Sequence, residues 1–409
     1  MKILVCHNSY RYRGGEDQVF DDEVGMLRAA GHEVLTYQRC NQEIESTRRA
    51  QIAAGTIWSR RTYRELRALL QQETPAVVHF HNTFPLISPS AYYAARHEGI
   101  PVIQTLHNFR LLCPGGTLLR DGKVCEQCVA KAFATASVRY GCYRQSRSAS
   151  LVAASMLAAH WRMGTWSNAV SRYIALTDFA RDKFIAGGFP ADRMVVKPNC
   201  VHPDPGFHEH PDKFAVYVGR LSEEKGIRSL LQAWKRLGSS LPLKLAGEGP
   251  LEGLVRQARA EGCHVELLGQ LTHDQVLSLM RQASIAVCPS ICHEGFGRSV
   301  IEAFASGPAV VASDLAPLNQ LVHDGTNGLL FRSGDADDLA AKIQWLMAND
   351  AQWHAFRQQA RRDYEAHYTP QRNCEQLISI YEQVQEGPRE LPPRLSEHGV
   401  YSTAAKATS

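Results

Sequence analysis

The sequence has no strong excess of charge of either sign. Its 409 residues carry a formal net charge of +4, with 44% hydrophobic and 21% charged residues. This balance is typical of a soluble globular protein and gives no reason to expect nucleic acid as a partner. A chain of this length exceeds what one ordinary core holds, so two domains are predicted.

Segments that would enter or cross a membrane are also missing. The first apolar run, KILVCH, has the length of a strand and is followed at once by polar and basic residues, unlike a secretory signal. The most apolar later stretch, residues 149–161, is shorter than the roughly 20 residues that span a bilayer. We therefore expect a cytoplasmic protein, with any membrane contact at the inner face.

A dinucleotide-binding fingerprint is absent from the first strand-to-helix loop. KILVCH leads into NSYRYRGGEDQVF, so Gly14 and Gly15 fall on that loop, but they do not form the pattern G-x-G-x-x-G. A nicotinamide cofactor is therefore not expected. The pair fits a tight turn and a ligand-binding loop equally well.

Short apolar runs rich in β-branched residues alternate with helical patterns along most of the chain. This rhythm predicts an α/β protein with parallel sheets wound by crossover helices. The predicted strands are KILVCH, AVVHFH, PVIQTLH, YIALT and MVVKP in a first unit, then FAVYVG, LPLKLAG, VELLG, IAVCPS, AVVAS and GLLF in a second.

The linker between the two units is predicted at PNCVHPDPGFHEHPDKF, which is rich in proline and polar residues. The predicted domains are residues 1–200 and residues 201–368. A helix over 369–386 is expected to pack back on the first domain, and residues 387–409 read as a disordered tail.

In open α/β sheets, ligands bind beyond the carboxyl ends of the strands. Arg220 and Lys225 follow the strand FAVYVG on a loop that opens a helix, which favours a diphosphate site. The alternative is two surface cations. Gly247 and Glu248, in the turn GEGP, follow the next strand, where glycine allows a close backbone approach to a ligand.

The segment ICHEGFGRSVIEAFAS contains Glu294 and Glu302 with seven residues between them. Gly295 and Gly297 precede a helix predicted to begin near Arg298, and the free N–H groups of its first turn favour an anion. Glu302 is then suited to a ribose diol, and Glu294 to the hydroxyls of the group that the diphosphate carries. Two charges on a solvated surface are the alternative.

These motifs together resemble the family 4 retaining glycosyltransferases. The resemblance rests on E-x7-E and on GRLSEEKG, AGEGP and GQLTHDQVLSLMRQA in the same order, and it extends through the C-terminal helix. It implies a GT-B fold, in which two Rossmann-like domains with parallel sheets face each other across a cleft. It also implies a nucleotide-diphosphate sugar donor, such as a UDP- or GDP-sugar, and no cofactor for catalysis.

The resemblance implies a role for each matching residue. Arg220 and Lys225 would bind the diphosphate, Glu302 the ribose and Glu294 the transferred sugar. Further donor contacts are implied for Gly14, Gly15, Gly247, Glu248, Leu271, Thr272, Gly295, Phe296, Gly297 and Ser299. One departure concerns the sugar: Cys292 and His293 precede Glu294 where the family often has an aromatic or aliphatic residue.

Histidines end two predicted strands of the first domain. A lone histidine such as His107 is more often a core or loop residue, but the resemblance places it beside the transferred sugar, so His107 and Glu294 are the catalytic candidates. His79 and His81 share one strand face, as metal ligands would. No third ligand is evident in the sequence, so we expect packing or acceptor contact and no catalytic metal.

Four cysteines are clustered within some thirty residues, at Cys113, Cys125, Cys128 and Cys142. In a reducing compartment this spacing, which includes one C-x-x-C, is compatible with a closed structural zinc site. Four ordinary thiols or a redox-active pair are equally compatible with it.

The same region is basic and leads into an apolar helix. Lys131, Arg139, Arg144 and Arg147 precede or open the stretch SASLVAASMLAAHW. Such a surface suits anionic lipid and a lipid-linked acceptor. A solvated basic run is the alternative.

The expected function is transfer of a hexosyl unit to a glycan or lipid-linked acceptor, in the synthesis of a bacterial cell-surface polysaccharide such as lipopolysaccharide. The resemblance implies the reaction class, and the acceptor follows only from how such enzymes are commonly used. The alternatives are a nucleotide-sugar epimerase of similar two-domain fold and a non-catalytic sugar-nucleotide-binding protein.

Overall fold

The computed structural model describes residues 1–11 and 13–386, in which two parallel sheets are each wound by helices. The predicted tail, residues 387–409, lies outside the described residues. The strands are β1 (Lys2–Ser9), β2 (Glu33–Cys40), β3 (Val77–Asn82), β4 (Val102–Leu106), β5 (Leu119–Arg120), β6 (Lys123–Val124), β7 (Arg172–Ala175), β8 (Met194–Val196), β9 (Asp212–Val218), β10 (Leu243–Ala246), β11 (Val265–Gly269), β12 (Ala283–Cys288), β13 (Ala309–Ser313) and β14 (Gly328–Phe331).

Helices follow most strands, as the alternating pattern predicts. They are α1 (Gly15–Ala29), α2 (Arg49–Ile57), α3 (Arg60–Glu73), α4 (Ser90–His97), α5 (Thr135–Tyr140), α6 (Arg147–Arg162), α7 (Thr165–Asn168), α8 (Asp178–Ala186), α9 (Ile227–Leu237), α10 (Glu252–Ala260), α11 (His273–Gln282), α12 (Arg298–Ser306), α13 (Leu318–Leu321), α14 (Ala336–Ala348), α15 (Asp350–His367) and α16 (Pro370–Glu386). No helix of the described residues combines the length and the apolar character needed to cross a bilayer.

The first sheet has the strand order β2-β1-β3-β4-β7-β8, and all its neighbours are parallel. Every residue of β3 and β4 is buried, because helices cover both faces of the sheet. The edge strand β2 alternates between buried and more exposed positions. The sequence did not predict β2, because this strand lacks a continuous apolar run.

The second sheet has the order β11-β10-β9-β12-β13-β14 and is also entirely parallel. This is the doubly wound Rossmann order, in which the chain reverses its direction of winding between β9 and β12. A crevice forms at such a reversal. The loops that follow β9 and β12 are therefore the expected ligand-binding elements.

The chain crosses between the two lobes twice. It leaves the first lobe after β8 and enters the second at β9, and it returns between α15 and α16. The segment of the first crossing is attached to α15 by Arg361, whose guanidinium binds both carboxylate oxygens of Asp204 at 2.8 Å. The buried side chains of α16 belong to the core beside β1 and α1; they are Cys374, Leu377, Ile380 and Tyr381.

Candidate functional site

The loops after β9 and β12 pack directly against each other at the reversal point of the second sheet. Gly226, in the left-handed conformation with φ +71, opens α9, and a Cβ there would lie 1.8 Å from the carbonyl oxygen of Pro289. Only glycine fits this contact. The Ile291 N–H donates to the Glu224 carbonyl oxygen at 2.9 Å. The segment after β9 is thereby fixed beside the segment that carries Glu294.

Lys225 and Glu294 form an ion pair at this junction. Lys225 Nζ lies 2.7 Å from Glu294 Oε1, and the Ser290 hydroxyl donates to the same oxygen. Burial works against both charges, but each group compensates the other, so the pKa of Glu294 is lowered and the pKa of Lys225 is raised. Both groups are charged at neutral pH. Arg220, five residues before Lys225, is exposed at the same edge.

Glu302 lies one turn inside α12 and is bound by Arg298. Arg298 Nε donates to Glu302 Oε1 at 2.6 Å, and Arg298 also reaches Asp22 of α1 at 2.8 Å. His273 Nδ1 lies 3.8 Å from the same Glu302 oxygen. Burial opposes the charge of Arg298, but the two carboxylates raise its pKa. Arg298 therefore joins the predicted ribose ligand to the first lobe.

Arg298 and Asp22 were not singled out in the sequence. Arg298 stands inside the E-x7-E segment, but its partner in α1 is 276 positions away. Glu294 and Glu302 both follow β12, the first in the loop after the strand and the second one turn into α12. They are thus held at the same end of the sheet, and the shared pocket stays a prediction.

Glycines join the neighbouring strand ends to this region. A Cβ at Gly247 would lie 2.0 Å from the Gly219 carbonyl oxygen, and the Leu221 N–H donates to Glu248 O at 3.0 Å. The loop after β10, which includes Gly247 and Glu248, therefore lies against the loop that carries Arg220.

Leu271 and Thr272 lie next along this edge, where α11 begins. The Thr272 side chain accepts from Gln275 N–H, while Gln275 Oε1 accepts from Thr272 N–H at 2.9 Å. This capping box uses the Thr272 amide internally. A contact between that amide and a ligand, as the resemblance implies, would require this bond to open.

The glycine-rich turn before α12 is where the two lobes touch. A Cβ at Gly295 would lie 1.9 Å from the His107 carbonyl oxygen. Gly297 caps α12 with φ +97. Phe296 is buried in the core of the second lobe, so only its backbone can meet a ligand. Ser299 Oγ lies 3.5 Å from Cys288 Sγ.

Two segments of the first lobe also face this contact, the start of α1 and the start of α8. Gly14 and Gly15 begin α1, and a Cβ at Gly15 would lie 3.9 Å from the Arg298 side chain. Gly14 N–H donates to Asp17 Oδ2 at 2.8 Å. Phe179 of α8 packs on His293, with ring centroids 4.5 Å apart. His293, the departure from the family pattern, therefore contributes to contact between the lobes.

A buried polar network begins at His107, beside the cleft. His107 Nε2 and His81 Nδ1 are 3.0 Å apart, and His81 Nε2 lies 3.2 Å from Glu23 Oε2. Glu23 Oε1 accepts from Lys197 Nζ at 2.8 Å, and Lys197 also donates to Asn373 of α16 at 2.9 Å. The network runs from the cleft to the returning helix.

The charges of this network are fixed by burial and by each other. Burial would raise the pKa of Glu23, but the Lys197 ammonium outweighs it and holds the pKa well below the ordinary value. Burial lowers the pKa of His81 and holds the pKa of His79 and of His107 well below the usual range. At neutral pH the three imidazoles are neutral, while Glu23 is anionic.

Glu23 supplies the third ligand that the sequence did not reveal beside His79 and His81, because their ligand atoms lie within 4.8 Å of one another. Hydrogen bonding occupies both ring nitrogens of His79, which binds Tyr381 and Thr105, each at 2.7 Å. Glu23 Oε2 and His81 Nε2 lie 3.2 Å apart and have no other hydrogen-bond partner. The ammonium of Lys197 binds the other carboxylate oxygen of Glu23. A metal here would compete with Tyr381 or Thr105 for His79, and the packing role of the histidine pair stays a prediction.

Two family models match consecutive parts of the chain. A family model described as "Glycosyl transferase 4-like domain" matches residues 14–200, and one described as "Glycosyl transferases group 1" matches residues 202–363. An uncharacterized glycosyltransferase of Methanocaldococcus jannaschii is 34% identical over 161 residues, which are 39% of this chain and 45% of that protein. The matched region thus spans less than half of that relative.

A longer match is to the phosphatidyl-myo-inositol mannosyltransferase of Mycolicibacterium smegmatis, which is 26% identical over 85% of this chain and 84% of that protein. Among solved structures, Anabaena Alr3699/HepE in complex with UDP and glucose has a TM-score of 0.68 at 17% identity, covering 93% of this chain and 99% of that one. The fold and the two matched domains lead to one conclusion. Both halves of the chain match glycosyltransferase domain families, and together they have the GT-B fold.

Proposed function

We propose that the protein is a retaining hexosyltransferase that uses a UDP- or GDP-sugar and acts on a glycan or lipid-linked acceptor in bacterial cell-surface polysaccharide synthesis. The observation that carries the proposal is the meeting of Lys225, Glu294 and Glu302 at the reversal point of the second sheet, opposite His107. Cations, hydroxyl acceptors and a helix N-terminus are the groups that a nucleotide-diphosphate sugar requires. The complex of Alr3699/HepE with UDP and glucose supports a UDP-sugar in particular.

The Lys225–Glu294 pair has a direct role in this proposal. A donor diphosphate carries more negative charge than one carboxylate, so it competes for the Lys225 ammonium. Glu294 is then free to accept hydrogen bonds from the sugar hydroxyls. Arg220, exposed at the same edge, adds a second cation for the diphosphate.

The transfer step needs no protein nucleophile. The acceptor oxygen forms a bond to the anomeric carbon while the bond from that carbon to the diphosphate breaks, and the departing phosphate takes the acceptor proton. Attack on the leaving-group face retains the anomeric configuration. The cations and the α12 N-terminus stabilise the charge that develops on the diphosphate.

The acceptor side is proposed to lie at a membrane surface. No Asp or Glu occurs between residues 127 and 177. Arg139, Arg144 and Arg147 are exposed there. Exposed apolar side chains lie in the same segment, with Tyr140 49% and Leu151 47% exposed. Basic and apolar groups on one surface favour anionic lipid.

A donor screen tests the proposed function. We expect a UDP- or GDP-sugar to raise the unfolding temperature of the full chain and to release its nucleoside diphosphate slowly without acceptor. Glu302→Gln should abolish the shift, and the exposed control Glu261→Gln should keep it. Interconversion of the sugar nucleotide would favour the epimerase, and stabilisation without any turnover would favour a binding protein.

The configuration of the product tests retention. With an α-linked donor, nuclear magnetic resonance should show an α-linked product. A β-linked product, or a glycosyl-enzyme adduct trapped on Glu294, would contradict the proposed step.

Vesicle binding tests the membrane surface. The protein should co-sediment with vesicles that contain anionic lipid, and Arg144→Glu together with Arg147→Glu should weaken this binding. Reversal of Arg362, exposed on α15 of the second lobe, is the control and should have no effect. Equal binding by the double variant would remove the membrane from the proposal.

A further inference from the structure

The segment between β4 and α6 has little regular structure. Its regular elements are one short helical turn at Phe109–Leu111, the hairpin of β5 and β6, and the six-residue helix α5. The segment begins directly after His107 at the cleft. Long connections of this kind need additional constraints to hold one conformation, and a metal clip is one such constraint.

Three of the four cysteines are placed by local backbone turns. Cys125 follows the hairpin, and its N–H donates to Leu118 O at 2.7 Å. Cys128 closes the C-x-x-C turn, in which the Val129 N–H donates to Glu126 O at 3.0 Å. Cys142 follows α5, and its N–H donates to Ser137 O at 3.0 Å. A C-x-x-C turn that follows a hairpin is a spacing that structural zinc sites use.

Cys113 and Cys142 approach each other around Gly115. A Cβ added to Gly115 would lie 3.7 Å from Cys113 Sγ and 3.6 Å from Cys142 Cβ. Cys128 lines one cavity together with Leu111 and Leu112, the two residues just before Cys113. All four are free thiols, and none forms a disulfide. The fold thus collects cysteines that lie up to 29 positions apart in the sequence.

A second group supports the sulphur atoms. Ser137 is completely buried in α5, its carbonyl oxygen accepts from the Cys142 N–H at 3.0 Å, and its hydroxyl has no hydrogen-bond partner. N–H and O–H donors to ligand sulphur are typical of the outer shell of metal sites. Glu126, inside the C-x-x-C turn, pairs with Lys183 of α8 at 2.5 Å, so its carboxylate is directed to another partner.

We propose a closed structural zinc site whose four ligands are the thiolates of Cys113, Cys125, Cys128 and Cys142. Four thiolates, two of them in a C-x-x-C pair, form a preferred tetrahedral set for Zn²⁺, and each thiol gives up its proton when the metal binds. Among the described residues, the thiols are less closely gathered than Glu23, His79 and His81, whose ligand atoms all lie within 4.8 Å. Metal binding therefore draws the four sulphur atoms inwards around Gly115.

The site is independent of the donor and acceptor proposed above, and its test does not depend on activity. The full chain, purified without chelator, should contain one zinc ion as measured by plasma mass spectrometry. Cys125→Ser with Cys128→Ser should lose the zinc. Cys40→Ser with Cys263→Ser, which changes two cysteines outside the cluster, should keep it. Chelator should lower the unfolding temperature of the native chain by at least about 5 °C, and added zinc should restore it.

Two further measurements keep the test decisive if the double variant does not fold. Cys113→His retains a zinc ligand and should still bind the metal. Cobalt in place of zinc should give the absorption of a tetrahedral thiolate site. The proposal is overturned if the folded native chain contains no bound zinc after incubation with zinc. It is also overturned if Cys125 and Cys128 form a disulfide in the native protein.

Discussion

The two lobes use charge at the cleft in opposite ways. In the second lobe, Lys225 and Glu294 form a pair at the strand ends, where a charged ligand can compete for either partner. In the first lobe, Glu23 and Lys197 are almost completely buried and bound to groups within the same lobe. This contrast indicates that the second lobe exchanges its ionic contacts with a ligand, while the first lobe keeps its contacts and holds His107 in place.

The largest effect is expected from breaking the fixed pair. Glu23→Gln leaves the Lys197 ammonium buried without its carboxylate, and removing one partner of a buried ion pair destabilises a protein by about 3–5 kcal/mol. Urea unfolding would measure this loss. The exposed control Glu65→Gln should change stability by less than about 1 kcal/mol. A similar small change in Glu23→Gln would mean that the network is not a structural support.

For the Lys225–Glu294 pair, we expect the reverse: a large loss of activity and little loss of stability. Lys225→Ala removes a cation from the proposed diphosphate site, so kcat/KM should fall by about 10²–10³, with little change in unfolding temperature. Lys235→Ala, at an ion pair on the surface of α9, is the matched control. Steady-state kinetics with saturating acceptor would measure both variants. Loss of stability without a specific loss of activity would remove the contrast between the lobes.

A smaller effect is expected where the lobes touch. Gly295→Ala places a methyl group against the His107 carbonyl oxygen, so the lobes must move apart and kcat/KM should fall about tenfold. Gly253→Ala, in α10, meets no atom within 4 Å and should be neutral or slightly stabilising. Equal kinetics of the two variants would show that this contact is absent in the active state.

The fixed network should also make stability depend on pH. His79, His81 and His107 have lowered pKa values in the folded state, so protons bind preferentially to the unfolded chain. The free energy of unfolding should therefore fall as the pH drops below about 6.5, by up to about 1.4 kcal/mol per pH unit for each histidine. Denaturant titrations at several pH values would measure the slope, and His107→Gln should reduce it. A constant stability between about pH 7.5 and pH 5.5 would contradict the neutral state assigned to these imidazoles.

Local sequence patterns predicted the strands that are buried on both faces. All eleven strands predicted from apolar runs are present, because burial in a parallel sheet requires such runs. The edge strand β2 and the hairpin of β5 and β6 were missed. The first alternates in burial, and the second consists of two-residue strands with no apolar pattern.

The site residues also divide into those that the sequence predicted and those that it did not. Lys225, Glu294 and Glu302 stand just after strands, so their proximity followed from the parallel topology. Arg298 and Glu23 could not be found in this manner, because their partners Asp22 and Lys197 are 276 and 174 positions away. Contacts between lobes and between distant helices leave no periodic signal in one sequence.

The return of α16 to the first lobe has a consequence for synthesis of the protein. Residues 374–381 complete the core around β1 and α1, and Asn373 and Tyr381 bind the Lys197 and His79 side chains. A ribosome makes the first lobe first, yet that lobe lacks part of its interior until the second lobe has emerged. The segment that is translated earliest is therefore the one that matures last.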